Sequence, residues 1–192
     1  VTMDYHCDQT DIVGLLSIQE AKSGGQSKVV SSISVYNEFL SRRPDLVKVM
    51  AEPFCWTKHS EMNIDEKPYY ESPIFNFLDG MLCIAFGPKH IEKGHLLDEA
   101  PRMTATQAEG IRLMEEICED QHFEMILERG DIQFANNAVI LHTRKSFQDW
   151  PELERRRRLW RLWLVQPEIR PANPYILQWR NGVHPQGTKL KV

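Results

Sequence analysis

Apolar residues in this chain recur in short runs bounded by turn chemistry, with one longer stretch at helical spacing. Asp11 to Gln19 is apolar and partly β-branched, which predicts a buried strand. Ala21 to Gln26 holds a Gly-Gly turn, and Ser27 to Ser31 resumes as a strand. From Ser34 to Leu40 the spacing becomes helical, with Val35, Phe39 and Leu40 to one side. Pro44 then sits where the first turn of a second short helix tolerates it. Pro53 to Thr57 reads as a strand, and the polar stretch Lys58 to Lys67 as a mobile loop. Tyr69 to Leu78 and Met81 to Phe86, joined by Asp79-Gly80, predict a hairpin. Gly87 to Met103 shows no period and is expected to be a long loop or lid.

Thr104 to Cys118 carries the strongest helical signal. Thr104 can cap it, Gln107 stands at the capping-box position, and Ile111, Met114 and Ile117 form an apolar stripe. Strands are expected at Phe123 to Leu127, Asp131 to Phe134, Val139 to Thr143 and Arg156 to Val165, with Trp160 and Trp163 as core residues. The tail from Pro167 is rich in Pro, Asn and Gly. The division predicted is therefore one domain over residues 1–170 and a C-terminal surface tail over 171–192. Short strands with helices between two β-rich blocks predict a mainly β fold with helical insertions, a sandwich or barrel and not an alternating parallel sheet.

Composition narrows the function classes. A chain of 192 residues with a net charge of −4 can bury one core, and its mild acidity gives no reason to expect nucleic acid or an anionic membrane as partner. No apolar stretch is long enough to cross a bilayer. Cys7, Cys55, Cys83 and Cys118 are scattered without a Cys-x-x-Cys pair, so they read as reduced thiols of a cytoplasmic protein. Motif-bearing residues begin almost at Val1, which leads us to expect a further segment upstream. The run Arg155 to Arg158, flanked by Glu152 and Glu154, reads as a solvated strand end and not as a nucleic-acid patch.

Three segments have the form His-x-acid: His6-Cys7-Asp8, His59-Ser60-Glu61 and His122-Phe123-Glu124. About one such triplet is expected by chance in a chain of this composition, so context must separate them. His59 lies in a polar loop and His122 enters a strand, both ordinary places for a solvated histidine. His6 and Asp8 stand at the mouth of a buried strand, where an i, i+2 pair projects from one face. With a distant third ligand they complete a two-histidine, one-carboxylate set that leaves three positions of an octahedral Fe(II) open. His142, at the end of Val139-Ile-Leu-His142, is the natural third ligand. Arg161, inside the apolar Leu159 to Leu164, is costly to bury without an anionic partner, and a 2-oxoglutarate carboxylate would supply one, with Ser27 adding a hydroxyl. Asn136 and Asn137 read as turn residues.

The run His6 to Leu16, then Ala21 to Ser27, then Gly130 to Asn137 with Leu141-His142, then Asp149-Trp150-Pro151 and Arg155 to Leu164, resembles the taurine dioxygenase (TauD/TfdA-like) family, in particular its fungal and bacterial branch without assigned substrate. The resemblance extends to about Arg170. It implies a double-stranded β-helix (jelly-roll) core, here lacking its N-terminal portion. It also implies Fe(II), with 2-oxoglutarate and O₂ as co-substrates, and oxidation of an unactivated C–H bond of a small molecule with release of succinate and CO₂. His6, Asp8 and His142 match the family's catalytic iron ligands, Ser27 and Arg161 its co-substrate residues, and Arg157 a weaker supporting position. Ala138 replaces a histidine common in the branch. Related halogenases replace the carboxylate ligand by a small residue, so Asp8 implies a hydroxylase or desaturase.

Two other classes stay open at this stage: a catalytically silent family member acting as a binding or scaffold subunit, and a jelly-roll hydrolase using another divalent metal. Arg161 and Ser27 speak against the hydrolase. Trp56 and Phe75 are candidate walls of the substrate pocket, as are the segments Lys58 to Lys67 and Gly87 to Met103. The substrate itself is not legible, and a homo-oligomer is compatible with the resemblance.

Overall fold

Alternation and capping lay the elements down largely where the patterning puts them. The computed structural model describes residues 2–59, 66–168 and 170–179. The first half contains β1 (Ile12–Gln19), β2 (Ser23–Gly24), β3 (Ser27–Ser31), α1 (Ser32–Arg42), α2 (Pro44–Met50), β4 (Pro53–Thr57), β5 (Tyr69–Pro73), β6 (Phe75–Leu78), β7 (Met81–Ile84) and α3 (Pro88–His95). The second contains α4 (Ala105–Gln121), β8 (Phe123–Met125), β9 (Ile132–Asn136), β10 (Ile140–Arg144), β11 (Phe147–Gln148), β12 (Arg158–Leu164) and α5 (Pro174–Trp179). The fold is mixed α and β. Two three-stranded antiparallel sheets, ordered β12-β1-β9 and β10-β3-β8, hold the elements that build the site.

The helical layer supplies the core. Thr104 accepts from the Gln107 backbone N–H while the Gln107 side chain accepts from the Thr104 N–H, so the capping box closes as the spacing predicts. Behind that cap Ile111, Met114, Ile117 and Cys118 are buried on the inward face of α4. They share one core with Phe39, Leu46, Phe54, Trp56 and Phe75, and each such side chain stabilises the fold by roughly 1.5–3 kcal/mol. Gly110 leaves room for the Met50 side chain of α2, because a Cβ there would lie 2.4 Å from the Met50 sulfur.

Four expectations are corrected. Gly87 to Met103 is not a structureless loop: Pro88 starts α3, Ile91 is buried, and Gly94 lets the helix press on β4, since a Cβ there would sit 2.2 Å from the Cys55 carbonyl oxygen. Buried His95 ties the same helix down, accepting from the Cys55 N–H at Nε2 (3.1 Å) and lying 2.7 Å from the Pro101 carbonyl at Nδ1. The run Tyr69 to Leu78 is two strands, not one. It breaks at fully buried Ile74, whose N–H turns to Met50 O, so β5 pairs with β4 and only β6 joins β7. The segment after Pro167 is not all surface tail: α5 brings Tyr175 and Ile176 into the core, and residues 180–192 lie outside the described residues.

Trp160 and Trp163 are not core residues either; Trp160 is 62 % exposed. Trp163, opposite Val13, is 36 % exposed on one face of its sheet, and register explains the exposure of Trp160 on the other. Trp160 and Ile132 flank Leu16, and Leu162 and Phe134 flank Gly14, so these side chains share one face of the β12-β1-β9 sheet. No element among the described residues covers that face.

Candidate metal centre

The two candidate histidine ligands are cross-strand neighbours. His6 and His142 form an antiparallel bridge and exchange both backbone hydrogen bonds, His6 N–H to His142 O at 2.9 Å and the reverse at 2.8 Å. Their rings lie 4.5 Å apart. The i, i+2 spacing then brings Asp8 to the same side. Its two oxygens address different histidines: Oδ1 is 4.0 Å from His6 Nε2 and Oδ2 is 3.9 Å from His142 Nε2. One ligand atom from each residue falls within 4.8 Å of the others. The structure therefore brings together the three residues singled out from the sequence. Of the other triplets, Ser60 and Glu61 lie outside the described residues. His122 caps α4, with Nδ1 2.7 Å from Glu119 O, and takes no part in the centre.

Several observations suit a bound cation. His6 Nδ1 lies 2.9 Å from Asp4 O, which fixes the proton there and leaves the Nε2 lone pair free. Asp8 Oδ2 and His142 Nδ1 are buried with no hydrogen-bond partner, a condition that a bound ion relieves directly for the carboxylate. Burial, then His6 and Arg161 nearby, push the His142 imidazolium down to about 3, so the ring stays neutral and able to donate its lone pair. Two imidazoles and one carboxylate form the donor set of a non-haem Fe(II) site with open positions.

Two cavities meet at this centre, sharing His6 and Arg161. The larger, about 410 Å³, has Lys58, His59, Gly87, His90 and Lys93 among its lining residues. The predicted loop segments thus contribute walls, but Trp56 and Phe75 do not. Both are buried in the core, Trp56 beside Gly87 and Tyr175, Phe75 against Tyr36 and Phe39. His90 sits ring-to-ring with His59 at 4.4 Å, and burial followed by the two neighbouring histidines pushes its pKa down to about 4.

The smaller cavity, about 260 Å³, contains Ser27, Gln133, Arg144, Arg157 and Arg161 beside His142. Arg161 is not the buried lone cation its apolar neighbours suggest: its side chain is 48 % exposed, and Nη1 lies 3.4 Å from Asp8 Oδ1. Arg157 is the less satisfied of the two. Its guanidinium stacks near Phe147 and against Gly25 but makes no ion pair among the described residues. Burial and then Arg144 depress its pKa, the signature of a site short of negative charge. Arg144, His90 and Tyr175 were not singled out from the sequence; each reaches the site through register or a distant element, which leaves no local motif.

A family model described as "Taurine catabolism dioxygenase TauD, TfdA family" matches residues 1–163. The chain is 31% identical over 173 residues to the taurine hydroxylase-like protein SAT17 of Stachybotrys chartarum, covering 87% of this chain and 43% of that protein. It is 26% identical over 167 residues to the FR-33289 synthase of Streptomyces rubellomurinus, covering 85% and 49%. Among solved structures it is similar to asparagine oxygenase, at TM-score 0.66 and 17% identity over 90% of this chain and 53% of that one. It is likewise similar to the non-heme iron oxygenase OrfP in complex with Fe and alpha-ketoglutaric acid, at TM-score 0.60 and 17% identity over 86% and 50%. The chain spans about half the length of the relatives it matches.

Proposed function

The chain belongs to the TauD/TfdA family, and from that premise we propose that it carries the iron centre of an Fe(II)- and 2-oxoglutarate-dependent dioxygenase acting on a small organic molecule. The observation that carries this reading is the convergence of His6, Asp8 and His142, with a buried carboxylate oxygen left without a partner. Fe(II) held there supplies the activation of O₂, coupled to oxidative decarboxylation of 2-oxoglutarate to succinate and CO₂. The outcome for the substrate is hydroxylation or desaturation of an unactivated C–H bond. The β12-β1-β9 and β10-β3-β8 sheets are read as part of a jelly-roll core, and the catalytic domain continues through α5.

Each side chain then has a task. His142 presents a neutral imidazole nitrogen, and the His6 ring is oriented by Asp4 O. Asp8 contributes charge and is held by Arg161. The smaller cavity suits 2-oxoglutarate, with its remote carboxylate against Arg157 and the Ser27 hydroxyl. This reverses the order expected from sequence: Arg161 is already engaged with Asp8, whereas Arg157 lacks an anion, so Arg157 is the principal anchor and Arg161 supports it. The larger cavity, lined by Lys93 and His90, is left for the substrate.

The test is anaerobic addition of 2-oxoglutarate to the Fe(II)-loaded full-length protein, following the weak visible charge-transfer band of the chelate. Wild type should develop the band. Arg157→Ala should need roughly ten- to a hundredfold more 2-oxoglutarate, the worth of a charged hydrogen-bond pair, and Arg161→Ala clearly less. Equal effects of both variants would refute the division of roles, and absence of the band from folded wild type would point to a silent binding subunit.

A further inference from the structure

The peptide group between the two ligands of the His6-x-Asp8 motif is held at both ends by buried side chains from distant elements. Its carbonyl, that of Cys7, accepts from the Tyr175 hydroxyl at 2.6 Å. Its N–H, that of Asp8, donates to Asn137 Oδ1 at 2.9 Å. Tyr175 is 3 % exposed and Asn137 is completely buried. Asn137 holds the following residues as well: Nδ2 donates to Thr10 O at 3.0 Å, and its own N–H donates to Asp11 O at 3.0 Å. Neither residue is a metal ligand. One stands in the β9–β10 turn, five positions before His142, and the other in α5, beyond the residues the family model matches.

The geometry points to Asn137 and Tyr175 as positioning residues that set the Asp8 carboxylate for the metal, by fixing the plane of the Cys7–Asp8 peptide. Holding both ends of this plane restrains ψ of Cys7 and φ of Asp8, and with them the direction in which the Asp8 side chain leaves the backbone, while His6 is held separately by its bridge to His142. Both polar ends of the plane are away from water and satisfied by one partner each. Removing either partner leaves a buried group unpaired, and turning the plane towards the larger cavity relieves it at the expense of ligand geometry. Backbone pairing alone does not prevent this: Cys7 N–H bonds to Phe86 O, which restrains the preceding peptide and not this one. The role of α5 is thereby changed from surface cover to part of the support of the metal centre.

This inference rests on His6, Asp8 and His142 being metal ligands, and the experiment separates the two claims. Co(II), a redox-stable probe, is titrated calorimetrically into the metal-free full-length protein. The variants are Tyr175→Phe, which removes only the hydroxyl, and Phe39→Leu, a core change in α1 remote from the site. Thermal melts of the metal-free proteins are read in parallel. Tyr175→Phe should weaken Co(II) binding about tenfold, the effect typical of losing an outer partner of a ligand, whereas Phe39→Leu should lower the melting temperature and leave the dissociation constant unchanged. In an Asp8→Ala background Tyr175→Phe should add nothing, because the carboxylate it positions is gone. Unchanged Co(II) binding by Tyr175→Phe, or an equal loss in Phe39→Leu and in the Asp8→Ala background, would overturn the positioning role. Absence of Co(II) binding by wild type would instead overturn the metal centre itself. If Asn137→Ser folds, it should weaken binding in the same direction as Tyr175→Phe; wild-type affinity there would remove Asn137 from the proposal.

Discussion

Acidifying the metal-free protein should destabilise it through His142 well above the pH at which carboxylates titrate. Burial holds this imidazole at a pKa of about 3, against an ordinary 6.5. Between those limits the unfolded chain binds a proton at this position and the native state does not, so stability is full above about pH 6.5 and falls as the pH drops towards 3. The slope is about 1.4 kcal/mol per pH unit for one proton, so moving from about pH 7.5 to pH 5 removes roughly 2 kcal/mol. His90, also depressed, to about 4, adds to the loss with the same sign. The assay is urea unfolding across this range with chelator present, comparing wild type with His142→Gln. Since the variant lacks the linked proton, the stability gap between the two should shrink by about 2 kcal/mol at pH 5. A gap that stays constant across the range would show that His142 is not held neutral by its surroundings, and the argument for a pre-set nitrogen donor would fall with it.

Asp8→Ala should weaken Fe(II) binding roughly 100-fold or more, since a charged ligand is lost, and abolish turnover; wild-type turnover in that variant would sink the assignment. Gly94→Ala should destabilise the fold by about 1–3 kcal/mol, because the new Cβ meets backbone atoms of Cys55 and Thr57 on β4 and not a movable side chain. A thermal melt indistinguishable from wild type would mean that α3 is not pressed on β4 as described.

The candidate ligands His6 and Asp8 and most element boundaries were legible because each rests on a local rule. Spacing of two puts His6 and Asp8 on one side, and the Thr104–Gln107 box marks where α4 begins. Helix α3 was not legible for an equally physical reason. It has only eight residues, is polar apart from Ile91, and contains a glycine that costs helix propensity but is needed for contact with Cys55. Arg161 misled because its apolar neighbours Trp160 and Leu162 stand on the open face of the sheet, whereas Arg161 itself, beside Leu15 and Gln133, stands on the other face, where it lines both cavities and reaches Asp8. Asn137 reads as a turn residue in sequence. It does stand in a turn, but its side chain is spent on Asp8 and Thr10, which no local pattern reveals. Tyr175 sits in a segment whose proline content argues for surface, and only tertiary packing draws it inward.

The bridge between His6 and His142 also has a consequence for how the protein comes into being. The staples that complete the centre join residues 129 positions apart, Asp8 to Asn137, and 168 apart, Cys7 to Tyr175. On a growing chain the first two candidate ligands emerge at the start of this sequence, and the third only after most of it has been made. A pair of ligands without the third holds a divalent ion weakly, so tight loading must wait until the long loop between them has closed. On the proposed ligand set, metal uptake is then a readout of topological completion. A kinetic trace of metal binding during refolding should lag behind the formation of helix α4, whose backbone hydrogen bonds are local, and coincide with the late pairing of the chain's distant parts.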